Sequence, residues 1–80
     1  MQVEIYSKPN CPFCVKAKRL CELRQVPYEE FVVGTDITRE NLLAIFPGAK
    51  TVPQIKVDGK SIGGYDQLVK LFDNAEGTWR

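Results

Sequence analysis

Four residues, Cys11-Pro12-Phe13-Cys14, constrain this chain more than anything else in it. Two cysteines separated by two residues, with an apolar alternating run before them and an amphipathic run after, read as a redox pair at a strand-to-helix junction. Thiol chemistry requires that placement. Only the thiolate attacks, and a free cysteine with a pKa of about 8.5 is scarcely ionised near neutrality. Amides at a helix N-terminus lack intrahelical partners and carry roughly half a positive charge, so a sulfur held there is stabilised as an anion. Pro12 has no N–H to leave unpaired and its φ is already helical, which sets the helix start directly behind Cys11. Cys11 is therefore expected at the exposed helix start, with Cys14 one turn in on the same side and more enclosed. Cys11 attacks and Cys14 resolves.

The rest of the composition narrows what such a pair can be. Eighty residues allow one small domain, read as spanning 1–80. At 44% hydrophobic and 26% charged residues the chain is neither disordered nor a membrane protein by composition. Eleven basic and ten acidic residues leave a net charge of +1, so no bulk field points to nucleic acid or to an anionic membrane, and neither is expected as a partner. The opening Met1-Gln2-Val3-Glu4-Ile5-Tyr6 has no basic leader or apolar signal core, so a cytoplasmic, reducing compartment is expected. Three cysteines suit a secreted disulfide scaffold poorly. A structural zinc site wants four Cys or His ligands, and the chain has three cysteines and no histidine, so no metal is expected unless two chains share one.

In chain order, Val3 and Ile5 alternate with Gln2 and Glu4 as a short strand. From Pro12 to about Gln25 the spacing is helical, with Phe13, Ala17, Leu20 and Cys21 on one stripe; Pro27 ends this element. Cys21 reads there as a small buried hydrophobe rather than a third redox partner. Tyr28 to Val33 is a second strand whose Phe-Val-Val finish suggests burial on both faces, completing a βαβ unit. Gly34-Thr35-Asp36 turns the chain, Leu42, Leu43, Ile45 and Phe46 supply a short helix, and Pro47-Gly48 stops it. Val52 to Val57, Asp58-Gly59 and Lys60 to Ile62 read as an antiparallel hairpin with a tight primed turn. Gly63-Gly64 breaks the sheet, and a last helix runs from about Asp66 to Phe72 with Asp66 as its cap and Leu68, Leu71 and Phe72 inward. The order is βαβαββα. Trp79, in the tail, reads as a packing residue.

With these elements placed, the sequence resembles the glutaredoxins over nearly its full length. The resemblance rests on Cys11-Pro12-Phe13-Cys14 with Lys8 upstream, on Thr51-Val52-Pro53 before a strand, and on Gly63-Gly64-Tyr65-Asp66 opening a helix. It implies an α/β thioredoxin-like fold, a four-stranded mixed sheet flanked by three helices, and a monomer. It also implies glutathione-dependent reduction of disulfides and of glutathione mixed disulfides. Glutathione is then the reductant, no cofactor stays bound, and disulfide-containing proteins such as ribonucleotide reductase are the partners.

The same resemblance assigns a glutathione site to Lys8, Phe13, Arg39, Thr51, Val52, Pro53, Gly64, Tyr65 and Asp66. A proline at position 53 would remove a ladder bond from a central strand, so it marks a strand end, an edge strand or a special turn. In the resembling family it is cis, which would let Val52 pair its backbone with glutathione's cysteine as an added strand. The amides after Gly64 suit the γ-glutamyl carboxylate and Asp66 its ammonium, unless Asp66 is a plain cap. Lys8 either favours the Cys11 thiolate, meets the glycyl carboxylate or is simply solvated. Arg39, where the family commonly carries glutamine nearby, is a second candidate for that carboxylate. Phe13 stands where many relatives have tyrosine. Two rival functions share these motifs: a redoxin recharged by thioredoxin reductase, and a carrier in which Cys11 and glutathione hold an iron–sulfur cluster between two chains. Tyr65-Asp66 after paired glycines argues against the first and Pro12 against the second.

Overall fold

The computed structural model describes the backbone of residues 1–77 and the side chains of residues 1–73; Trp79 lies outside them. Its elements are β1 (Val3–Ser7), α1 (Pro12–Leu23), β2 (Tyr28–Val32), α2 (Arg39–Ile45), β3 (Gln54–Val57), β4 (Lys60–Gly63) and α3 (Tyr65–Gly77). The four strands form one mixed sheet in the order β2-β1-β3-β4, with β1 parallel to β2 and antiparallel to β3, and β4 antiparallel to β3. This is the thioredoxin-like fold. No helix among the described residues is long and apolar enough to cross a membrane.

Side-chain alternation along β1 builds a core on each face of the sheet. Val3 and Ile5 join Ile55 and Val57 against Ala17 and Cys21 of α1 and Leu68 and Phe72 of α3. Tyr6 points the other way and packs with Leu42 and Phe46 under α2. There it stacks on Phe31 at 4.9 Å and meets Phe46 edge-on at 5.0 Å, the geometries that the ring quadrupoles favour.

Several elements differ from their local patterns. In α1 the buried spine is Cys14, Ala17 and Cys21, whereas Phe13 is 52% exposed, because the sheet covers only one narrow stripe of a helix that begins at Pro12. That helix ends at Leu23, where Gln25 takes a left-handed conformation (φ 56°) and the Val26 N–H bonds back to the Cys21 carbonyl, two residues before Pro27 could act. The expected burial of β2 on both faces fails. β2 pairs with β1 alone, so it is an edge strand whose residues are half-buried or exposed. In the seven-residue α2, Leu42 is buried and Phe46 follows it one turn on, while Leu43 and Ile45 stay 37% exposed. The hairpin turns at Asp58 (φ 51°) and Gly59 (φ 84°), both left-handed as a type I′ turn requires. β4 keeps Gly63 inside the sheet, opposite Ile55 and beside a bulge, so the sheet ends one residue later than the glycine pair implies.

The end of β1 that leads to Cys11 is tied down by a polar link under α1. Ser7, 1% exposed, donates from Oγ to Glu30 Oε2 at 2.7 Å, and the same oxygen accepts Lys18 Nζ at 3.0 Å. The Ser7 bond first, then the pairing with Lys18, hold the Glu30 carboxyl below its ordinary range against the opposing effect of burial. A carboxylate with a lowered folded-state pKa stabilises above its unfolded value of about 4.3, and that contribution is lost as pH falls through the folded value. Ser7→Ala is thus expected to lose about 1 kcal/mol of stability. The advantage of wild type over Glu30→Gln should be full at neutral pH and shrink as pH falls below the ordinary carboxylate range, as urea titrations at neutral and at acidic pH would measure.

Candidate functional site at the Cys11–Cys14 helix start

The loop after β1 turns at Asn10, whose left-handed φ of 58° suits a short polar side chain, and delivers Cys11 to the N-cap of α1 in extended conformation. Pro12 occupies the first helical position, as expected from its missing donor. Cys11 and Cys14 form a disulfide, with Cα atoms 5.2 Å apart. The Cys14 backbone N–H points at Cys11 Sγ from 3.2 Å. One of the helix's free amides is therefore aimed at the Cys11 sulfur, where it favours negative charge. The expected contrast in exposure is nearly absent. Cys11 is 6% exposed and Cys14 2%, because the segment around Val52 folds over the outer sulfur and brings the Val52 carbonyl to 3.7 Å from it.

Val52-Pro53 is a cis peptide immediately ahead of β3, so Pro53 is at a strand entry and not within the ladder. Two grooves meet at this peptide, and Thr51 and Val52 line both. One, of about 250 Å³, runs from Val52 past Leu42 and Leu43 and carries Lys8, Arg39 and Lys50. The other, of about 390 Å³, lies between Phe13 and the start of α3 and carries Pro53, Gly64, Tyr65, Asp66 and Gln67. All nine residues expected around glutathione line at least one of the two. The Phe13 and Tyr65 rings face each other at 6.0 Å, and Lys16 lies over Phe13 at 5.1 Å from its centroid.

At the second groove the start of α3 departs from the expected cap. The helix begins at Tyr65, so Gly64 precedes it and Asp66 is the second helical residue, an exposed charge in the first turn. The capping bond comes from Gln67, whose Oε1 accepts the Gly64 N–H at 3.0 Å, the reciprocal half of a capping box. Gly64 also packs α3 against the cis peptide: a Cβ there would lie 3.4 Å from the Pro53 carbonyl oxygen, at the edge of ordinary van der Waals contact. Sequence reading missed Gln67 and Lys50. The first was signalled by a glutamine three places after a glycine at a helix start; no local pattern marks the second, which reaches the groove only because α2 returns the chain beside Lys8.

The sequence model of the glutaredoxin family matches residues 3–62. A probable glutaredoxin from Synechocystis is 44% identical over 71 residues, covering 88% of this chain and 65% of that protein. The chain belongs to the glutaredoxin family. It is also 44% identical to a hybrid peroxiredoxin from Haemophilus influenzae, over 88% of this chain but only 29% of the relative. This glutaredoxin thus spans less than two thirds of the length of either relative. Among solved structures it is similar to glutaredoxin 1 of Francisella tularensis complexed with cacodylate, with a TM-score of 0.77, 29% identity and coverage of 95% and 96% of the two chains. It is similar too to a buckwheat glutaredoxin–glutathione complex, with a TM-score of 0.76, 26% identity and coverage of 91% and 69%.

The third cysteine of this glutaredoxin stands apart from the grooves. Cys21 is fully buried in the core between α1 and the sheet and carries no disulfide. Burial first, and Glu22 second, push its thiol up to about 11. In the reduced native protein at neutral pH, Cys21 is expected to escape alkylation by iodoacetamide while Cys11 reacts, and to react once the chain is unfolded in denaturant. Peptide mass mapping distinguishes the three sulfurs.

Proposed function

We propose that this protein reduces protein disulfides and glutathione mixed disulfides with glutathione as its reductant. The observation that carries the reading is the meeting of two oppositely charged grooves at Val52, whose carbonyl is 3.7 Å from Cys11 Sγ. Glutathione has a carboxylate at one end and a carboxylate with an ammonium at the other. Its glycyl carboxylate suits Lys8 and Arg39, and its cysteine backbone suits Val52. At the other end Asp66 suits the ammonium, with the Tyr65 and Asp66 amides for the γ-glutamyl carboxylate, since the Gly64 N–H already bonds to Gln67. Phe13 and Tyr65 wall the sulfur's approach, and Thr51 and Pro53 line the passage between. The buckwheat glutaredoxin–glutathione complex supports glutathione as the partner.

The chemistry follows from the two sulfurs. The Cys11 thiolate attacks one sulfur of a substrate disulfide, that bond breaks, and the leaving thiolate takes up a proton. Cys14, as its thiolate, attacks Cys11 Sγ, releases the second substrate thiol and leaves the Cys11–Cys14 disulfide. One glutathione thiolate then opens that disulfide at Cys11, and a second displaces the first as glutathione disulfide. Two electrons pass from two glutathiones to one substrate disulfide, with no resident cofactor. Proteins such as ribonucleotide reductase are the proposed targets, in a cytoplasm whose thiols are kept reduced.

Turnover with glutathione as the sole reductant tests the reading; a protein recycled by thioredoxin reductase and not by glutathione would overturn it. Cys11→Ser should abolish all activity. Cys14→Ser should keep turnover on glutathione mixed disulfides and lose reduction of protein disulfides that need a second thiol, and equal loss in both variants would remove the division of labour. Asp66→Asn deletes a charge without touching the Gln67 cap. A charge-assisted hydrogen bond contributes about 1.5 to 3 kcal/mol, so kcat/KM with glutathione should fall roughly tenfold or more while reaction with a small uncharged disulfide stays near wild type. Unchanged glutathione kinetics in Asp66→Asn and Asp66→Lys would place the ammonium elsewhere.

A further inference from the structure

The cationic groove carries more charge than the tripeptide needs. Lys8 from the loop after β1, Arg39 from the first turn of α2 and Lys50 from the segment before the cis peptide line one groove of about 250 Å³. Among the described residues no carboxylate lines it; Glu40, the neighbour of Arg39, lies outside. Three exposed cations converge where glutathione offers one carboxylate. Like charges held together repel, so the groove attracts more negative charge than that ligand brings. On the far side of Val52 the one charged residue lining the groove is Asp66.

The geometry points to a directional rule for protein substrates: this protein selects disulfides whose reacting cysteine is followed, one to three residues on, by acidic side chains. This rests on the glutathione reading for its direction. With the amino end of glutathione at Asp66 and its glycyl end at Lys8, a chain whose sulfur is at Cys11 runs toward the cations in its C-terminal direction. An extended chain advances about 3.3 Å per residue, so the residues just after the cysteine enter the groove of Lys8, Arg39 and Lys50. Acidic residues before the cysteine would instead enter the groove that Asp66 lines, which has no lysine or arginine among its described lining residues and offers an anion only the amides at the start of α3. The partner is thus an extended acidic segment read by position, and not merely by its net charge.

The test uses three peptides, each joined as a disulfide dimer through its single cysteine: one with two glutamates after the cysteine, one with the same two glutamates before it, and one with two lysines after it. Pre-reduced wild-type protein is mixed with each, and the two-electron exchange that yields two peptide thiols and the Cys11–Cys14 disulfide is timed. Rates are divided by those with dithiothreitol, which removes differences in intrinsic reactivity. Exposed ion pairs are individually weak but two act together here, so the peptide with glutamates after the cysteine should react roughly fivefold or more faster than either other peptide at low salt. The gap should narrow as salt shortens the screening length to about 8 Å at 0.15 M. Lys50→Glu should shrink or reverse the ranking. Equal rates for glutamates before and after the cysteine, or a ranking unchanged in Lys50→Glu, overturn the rule. Turnover of wild type with glutathione as sole reductant is measured in parallel: if it proceeds while the peptides show no ranking, the rule alone fails, and if it is absent the glutathione reading fails.

Discussion

The burial of β1 on both faces is the constraint on which the site depends. β1 is a central strand, paired on each side, and its alternating residues feed two cores, one under α1 and α3 and one under α2. A strand held this way cannot slip, because a shift of one residue would exchange Ile5 for Tyr6 and empty both cores at once. Its last residue, Ser7, is fixed besides through Glu30 to Lys18 of α1. Only three residues, Lys8 to Asn10, lie between that anchor and Cys11, so the position of the Cys11 sulfur is inherited from the sheet and not from the loop.

The site is then assembled by approach from three sides. α1 brings an aimed amide to Cys11, the cis peptide brings the Val52 carbonyl, and α3 starts with Gly64 against the Pro53 carbonyl. Enclosure follows from the convergence. It leaves Cys11 little more exposed than Cys14, so what distinguishes the two sulfurs is the helix-cap position of Cys11 and its place beside Val52, which lines both grooves, more than bulk exposure. Gln67 occupies the Gly64 amide in the same crowded corner, so the capping bond at the start of α3 is made within the helix's own first turn.

Much of this was legible locally. Pro12 behind Cys11, Asp58-Gly59 between two short strands and Pro47-Gly48 after an apolar cluster each announce a backbone event that one or two residues enforce, and each occurs as read. Periodicity misled where the answer depended on neighbours. The Phe31-Val32-Val33 run looks like a doubly buried strand, yet β2 lies at the sheet's edge, and strand order is set by the crossover and not by composition. Asp66 looks like a helix cap, yet the helix starts one residue earlier and Gln67 makes the capping bond.

By itself, then, the sequence determined the redox pair, the βαβαββα order and the family motifs, because these reside in spacings of two to four residues that bond geometry and side-chain period translate directly into structure. The tertiary structure decided which faces are buried, how far Cys11 is enclosed and which charges share a groove. Lys8, Arg39 and Lys50 come from three separate stretches, and their meeting beside Val52 is a product of the sheet order and the return of the chain after α2, which no local pattern encodes.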